Sequence, residues 1–249
     1  MPRKEVISIN ESKDNPCFFF TYNSVGSTND LARKKVGKYK QFAILARKQN
    51  KGRGRYDRTF LSLKDRGIYL TIGVETEKDL QIVSQYSVYV ALAAKRVLEK
   101  NGSERIQFKW PNDLQIKGKK CAGILCESVI CGASRFAIVG IGINLFYKQE
   151  EFGELQTIAT SIFSSEHPNK KEQVSKIAQE ITREFFRICE EPQNDIYEEY
   201  CEACDIVGKR IEHLGQIGEV LSIEQDMSIT VSFGGVVKKI NYGEIILQD

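Results

Sequence analysis

Residues 106–143 read I-Q-F-K-W-P-N-D-L-Q-I-K-G-K-K-C-A-G-I-L-C-E-S-V-I-C-G-A-S-R-F-A-I-V-G-I-G-I. Three strand-like runs lie in this stretch: Ile106 to Trp110, Cys121 to Val129 and Arg135 to Ile143. The first two flank a turn at Lys117-Gly118-Lys119. Strands joined by so few residues pair antiparallel, because a parallel return needs a long crossover. Working outward, the pattern predicts a capped helix at Ser27 to Val36, with Ser27 or Thr28 as N-cap. It predicts buried strands at Phe42 to Ala46 and Gly67 to Val74. Leu80 to Glu99 reads as a helix, with Val83, Tyr86, Val90, Ala93, Val97 and Leu98 at three- and four-residue steps and Asn101-Gly102 as its stop. Lys171 to Glu191 is a second long helix. Pro192 interrupts it, and a short helix follows to Ala203. Helices set among neighbouring antiparallel strands make the fold class α+β, a mixed β-sheet flanked by helices, rather than a doubly wound parallel sheet.

From Asp205 the texture changes to short apolar runs, Val220 to Ile223 and Ile229 to Val231, punctuated by Gly215, Gly218, Gly234-Gly235 and Gly243. That is the pattern of a small all-β barrel. It would be marginal alone and is expected to dock on the rest. The division is therefore residues 1–204 as the main domain and 205–249 as an appendage.

Of the 249 residues, 41% are hydrophobic, enough for a real core, and the net charge is only +3. Such a balance does not suit a chain built to coat nucleic acid or an acidic membrane, so any basic site must be local. The N-terminus, Met1 to Pro16, holds no apolar signal-peptide run, and no stretch is long enough to span a bilayer. A cytoplasmic setting is expected. Seven cysteines cannot all pair with one another. Cys201 and Cys204 form a C-x-x-C without a second pair, and His167 and His213 are not at finger spacing, so core thiols are expected rather than a zinc or redox site.

Four segments carry chemistry. Gln49 to Arg58, Q-N-K-G-R-G-R-Y-D-R, puts Lys51, Arg53, Arg55 and Arg58 beside two glycines. Glycine lets a backbone approach a ligand, and arginine grips carboxylate or phosphate with a two-pronged donor. The loop suits an anionic ligand. A solvated basic loop or an RNA contact fits the composition as well. Phe108 to Leu114, F-K-W-P-N-D-L, offers Asn112 and Asp113 as oxygen donors for a ligand or Mg²⁺, or simply a Pro-Asn-Asp turn. Lys119 to Leu125, K-K-C-A-G-I-L, runs lysine into an apolar strand, which is costly unless the ammonium meets an anion. Gly140 to Leu145, G-I-G-I-N-L, lacks the third glycine and the helix of a dinucleotide site.

In this order, after Ser27-Thr28-Asn29, these segments resemble the biotin–protein ligase family, from about residue 21 to the C-terminus. The resemblance implies a class II synthetase-like biotin/lipoate ligase fold with an SH3-like C-terminal barrel. It implies an enzyme that makes biotinyl-5′-AMP from biotin and ATP, then transfers biotin to a lysine of a biotin carboxyl carrier protein. Carried over position by position, Ser27, Thr28 and Asn29 become biotin head-group contacts. Gln49, Arg53, Gly54 and Arg55 become the loop over biotin and its adenylate. Lys120 becomes the lysine on the biotin carboxylate and α-phosphate. Lys109, Asn112, Asp113 and Asn144 line the nucleotide or metal side, joined by Arg55 and Arg58, with Asp113 as the Mg²⁺ ligand. Catalysis would rest on Lys120, Arg53, Lys109 and Asp113.

Two departures follow. Too little chain precedes Ser27 for a helix-turn-helix, so sequence-specific DNA binding is not expected. The only tryptophan, Trp110, stands before the glycine segment, so the group that stacks on adenine is unassigned. Monomers and homodimers both occur in the family. The rival readings are a lipoate or octanoate ligase, and a non-catalytic biotinyl-adenylate or RNA-binding module.

Overall fold

The computed structural model describes residues 3–7, 16–56, 58–77, 85–166, 168–241, 243 and 245–248. Its larger sheet has eight strands: β1 (Arg3–Ile7), β2 (Cys17–Tyr22), β3 (Gln41–Ala46), β4 (Gly67–Thr76), β5 (Gln107–Lys109), β6 (Asp113–Ile116), β7 (Lys119–Cys131) and β8 (Ser134–Asn144). Their spatial order is β1-β2-β3-β4-β8-β7-β6-β5. Only β2 and β3 pair in parallel, across the crossover that holds α1 (Thr28–Arg33). All other neighbours are antiparallel. The mixed sheet expected from the short turns is therefore present.

One detail differs from the expectation. The turn at Lys117-Gly118 does not join the first two predicted runs. It joins β6 to β7, and the Pro-Asn segment before it turns the chain from β5 into β6. Lys117 and Gly118 both have positive φ, the mirror-image turn whose twist matches that of paired strands.

The sheet has two differently used faces, as period-2 side-chain alternation requires. Phe19, Ala43, Leu45, Ile68, Leu70, Ile72, Ala122, Val139 and Ile141 belong to the main core, together with α2 (Gln85–Lys100), α3 (Lys170–Ile188) and α4 (Gln193–Ala203). Helix α2 thus occupies most of the predicted span, and its first predicted turn, residues 80–84 with Val83, lies outside the described residues. Phe20, Phe42, Ile44 and Ile138 face the other way, onto Ala32 of α1. Beyond α1 no other α-helix among the described residues packs on this second face, and there the chain builds its cleft.

The C-terminal strands β9 (Arg210–His213), β10 (Gln216–Ile223), β11 (Ile229–Phe233), β12 (Val236–Ile240) and β13 (Ile246–Gln248) form an antiparallel sheet in the order β12-β11-β10-β9-β13. This is consistent with an SH3-like unit, although no closure of β12 onto β13 is seen among the described residues. The sheet docks as expected. Ile211, Val220, Ile229 and Val231 join the main core, and the buried Trp110 indole donates to Met227 O at 3.0 Å.

All seven cysteines are free. Burial pushes the Cys121 thiol up to about 12, which makes it a core group and not a nucleophile. Among the described residues no helix is long and apolar enough to cross a membrane.

Candidate active site

Sequence parity decides which side chains reach the cleft. On β8, Gly140, Gly142 and Asn144 alternate with the core residues Val139, Ile141 and Ile143. On β7, Gly123, Leu125 and Glu127 do the same against Ala122 and Ile124. Lys120 is three residues before Gly123 and would face the core by parity alone. A register shift rescues it: Leu114 pairs with Ala122, but Gln115 pairs with Lys120, leaving Cys121 as an extra residue. The bulge re-aims the strand. Lys120 therefore lies beside Gly123, and its Nζ meets Asp113 Oδ1 at 2.6 Å. Lys119, one residue earlier, is exposed. The anion that the buried-strand lysine needed is the chain's own Asp113.

The two glycines of the G-I-G-I-N-L segment have a steric reason. A Cβ on Gly140 would collide with the Asn29 amide, and one on Gly142 with the Phe60 ring. Gly142 pairs with Gly123, whose missing Cβ would also touch that ring. Phe60 lies over two bare strands, the close approach that interior strand glycines signal.

Ser27 caps α1 by accepting the Asp30 N–H at 3.5 Å. The helix is shorter than predicted, ending at Arg33. Thr28 donates through both N (2.8 Å) and Oγ1 (3.0 Å) to Gln49 Oε1, and Gln49 Nε2 donates to Ser62 Oγ at 3.0 Å. Asn29 Nδ2 donates to Leu125 O and Glu127 Oε2, and the buried Thr71 hydroxyl lies 2.7 Å from Asn29 Oδ1 and 2.8 Å from Thr28 Oγ1. Three buried polar residues on α1's first turn are thus held in one orientation.

Backbone bonds tie the described residues of the basic loop to the chain around it. Lys51 N bonds Gly26 O, Phe60 N bonds Gly52 O, and Gly54 N bonds Arg58 O. Two of its arginines are partnered: Arg53 by Glu127 and Asp30, and Arg55 by Asn112 Oδ1 at 3.2 Å and by the Tyr56 ring. Those pairings offset the like-charge repulsion that the sequence shows.

All of these groups surround one cleft of about 610 Å³. Every residue carried over from the family resemblance lines it, though Lys51 of the loop does not: Ser27, Thr28, Asn29 and Gln49 at one end; Arg53, Gly54, Arg55 and Arg58 in the loop; Lys109, Asn112, Asp113, Lys120 and Asn144 toward the other end. Phe60, Leu155, Ile158 and Ala159 also line it and were not foreseen. Leu155 belongs to a 3-10 helix at Gln149–Thr157, which carries no clear period. Thr71 and Glu127 support the lining from behind, and only their polarity within apolar strand runs could have flagged them. Five lining cations face one lining carboxylate, Asp113, which suits a polyanionic ligand.

As a metal centre the cleft fits poorly. Its single carboxylate is paired with an ammonium, and no group of three His, Cys, Asp or Glu gathers among the described residues. Asp113 with Asn112 makes no cage for a resident ion.

Residues 22–144 match the biotin/lipoate A/B protein ligase family. The bifunctional ligase/repressor BirA of Bacillus subtilis (strain 168) is 36% identical over 121 residues, covering 48% of this chain and 37% of that protein. The biotin–[acetyl-CoA-carboxylase] ligase of Paracoccus denitrificans is 36% identical over 113 residues, covering 41% of this chain and 43% of that one. The matched part thus spans less than half of either relative. A biotin protein ligase of Aquifex aeolicus, solved in complex with biotin and ATP, superposes over 94% of this chain and 99% of its own with a TM-score of 0.73. At 24% identity that likeness is one of fold.

Proposed function

We propose that the chain is an ATP-dependent biotin–protein ligase acting in the cytoplasm, with residues 1–204 as its catalytic unit and 205–249 as an SH3-like unit. The observation that carries this is the sequence of chemistries along the cleft. Thr28, Asn29 and Gln49 offer fixed amide and hydroxyl groups, matched to a cyclic urea. Phe60 over the Gly123–Gly142 pair offers an apolar floor for a thioether ring and alkyl chain. Lys120 and the arginine loop offer cations for a carboxylate and phosphates. A lipoyl or octanoyl head is apolar and has no polar atoms to engage this first group, so it would gain nothing from it.

In the first half-reaction a carboxylate oxygen of biotin attacks the α-phosphorus of ATP, and pyrophosphate leaves. Magnesium enters as part of the Mg·ATP substrate. Lys120 turns from Asp113 to the carboxylate and α-phosphate, and with Arg55, Arg58 and Lys109 it offsets the charge growing on the phosphoryl oxygens. Such preorganised charge supplies much of the rate in phosphoryl transfer. Asn112 and Asn144 orient the nucleotide. In the second half-reaction a lysine of a biotin carboxyl carrier protein attacks the mixed anhydride, and AMP leaves. That amine must be neutral, although free lysine sits near pKa ~10.4. Asp113, released by Lys120, is the candidate base for its proton on chemical grounds.

The test is exchange of labelled pyrophosphate into ATP by the purified chain. Exchange that requires biotin is expected. Exchange driven equally by lipoate or octanoate would move the assignment to the sister ligases, and no exchange with any of them would leave a binding module.

A further inference from the structure

Glu127 lies on the cleft face of β7 but not among the residues that line the cleft. Its side chain is only 15% exposed and is fully engaged. Arg33 Nη2 donates to it at 2.8 Å from the last turn of α1. Arg53 of the basic loop donates twice, through Nη1 at 3.3 Å and Nη2 at 3.1 Å. Asn29 Nδ2 donates at 2.9 Å. Asp30 adds a second carboxylate to Arg53 at 2.7 Å. Two guanidinium groups and two carboxylates thus form a neutral cluster that ties strand, helix and loop together. Burial alone would raise the Glu127 carboxyl, but the bonds from Arg33 and Asn29 and the Arg53 charge outweigh it and hold it low. It is a charged anchor.

The geometry has a consequence for Arg53. A guanidinium spread over two carboxylates has its donors committed to the chain, and charge-assisted forked pairs are geometrically specific. Backbone bonds on either side of Arg53, from Lys51 and Gly54, carry that restraint into the loop. Asn29, held by the same carboxylate, is one of the polar groups at the head end of the cleft.

We propose that Glu127 is a positioning residue, a latch that holds Arg53 and with it the Gln49–Arg58 loop against α1 while touching no ligand itself. The kinetic part of its test rests on the ligase reading, and the structural part does not.

The experiment is limited trypsin digestion of the full chain without ligand, following cleavage after Lys51, Arg53, Arg55 and Arg58. Glu127→Gln keeps the size and removes the charge. Loop cleavage should then rise about fivefold with the melting temperature nearly unchanged, because cleavage tracks the open population when opening is fast. Glu127→Asp should recover part of the protection. Arg53→Gln should expose the remaining loop bonds, and combining it with Glu127→Gln should add little, since both break one contact. Loop cleavage at the wild-type rate in folded Glu127→Gln would overturn the proposal, as would fully additive effects in the double variant. Should Glu127→Gln not fold, Arg53→Gln decides alone: faster loop cleavage supports the latch and an unchanged rate overturns it. In pyrophosphate exchange, Glu127→Gln should raise KM for biotin about fivefold and leave kcat within about twofold. A fall in kcat at unchanged KM would overturn the positioning role. If the wild type exchanges nothing, the ligase reading falls while the digestion still judges the latch.

Discussion

On one side of the large sheet Arg96, with Arg187 beside it, sits among three carboxylates, and on the other five cations line a cleft around one lining carboxylate. On the helical side, Arg96 of α2 reaches Glu184 of α3, Glu191 in the link to α4, and Glu199 of α4. Every prong is used: Nε to Glu199, Nη1 to Glu184 and Glu191, Nη2 to Glu191 and Glu199. On the cleft side the lining cations outnumber the lining carboxylate, and Lys120 holds the only one. The guanidinium donors are all taken where Arg96 joins elements, whereas cations outnumber the lining carboxylate where a ligand must supply the complement. Arginine does both jobs in this chain, so residue type alone does not separate them. The partner count does.

The largest effect should come from the unmatched side. Lys120→Ala removes the one cation that the β7 bulge aims at Asp113, so adenylate formation should fall by about a hundred- to a thousandfold. Unfolding free energy should change little, because the pair is partly solvent-exposed. Lys119→Ala, on an exposed neighbour, should leave both quantities near wild type. Pyrophosphate exchange with denaturant unfolding reads the two axes. Equal loss of exchange from both substitutions would show that the bulge does not select between the two lysines.

Arg96→Leu should behave in the opposite sense. It leaves three partly buried carboxylates, two of them still near Arg187, which bonds Glu184 and lies 3.6 Å from Glu191. Removing one partner of such a cluster costs about 2–3 kcal/mol once partial exposure is allowed for. Exchange activity per folded molecule should not change. A variant that loses activity while keeping its stability would mean that the helical face communicates with the cleft.

Gly142→Ala probes the boundary between the two regimes, since it adds no charge. Its Cβ would overlap the Phe60 ring, so the ring must lift from the floor. Overpacking of this kind costs about 1–3 kcal/mol. KM for biotin should rise as well, because the ring it displaces lines the cleft. Chemical unfolding and exchange kinetics together check this. Gly102→Ala, at an open turn with positive φ, should cost stability without touching KM.

How much of this could be read from the chain depended on where the signal was local. The strands Gln41–Ala46 and Gly67–Thr76 and the helices α3 and α4 follow their apolar patterns closely. The strand Cys17–Tyr22 was not foreseen. C-F-F-F-T-Y buries Cys17 and Phe19 in the main core and turns Phe18 and Phe20 to α1, so both faces are apolar and no alternation shows. Asp113–Ile116 was absorbed into a turn because Pro111 and Asn112 precede it, although Leu114 and Ile116 are its buried alternate residues. In the cleft, the cations and amides were visible as composition within short motifs. The supports were not. Thr71 and Glu127 act through residues more than forty positions away, and the glycines of β8 reveal their purpose only once Asn29 and Phe60 lie across them.

The smallest expected effect is the acid response of the matched face. The Arg96 bonds hold the Glu191 carboxyl below its ordinary 4.5, more strongly than burial opposes. For Glu184, burial pulls upward, but bonds from Arg187 and Arg96 prevail and the result is again lowered. A carboxyl whose folded value lies below its unfolded one binds fewer protons in the native state near that range. Its stabilisation is therefore complete above about 4.5 and is lost as pH falls through the lowered folded values. Wild-type unfolding free energy should accordingly drop on acidification below 4.5. Arg96→Leu should drop less, because without the guanidinium the carboxylates have less ionic stabilisation to lose. The gap between wild type and variant should then be widest at neutral pH and narrow steadily below 4.5. Urea unfolding of both proteins across that range measures it. A gap that stays constant with pH would mean that Arg96 holds the helices by packing its stem rather than by its charge, and the contrast between the two faces would lose its electrostatic basis.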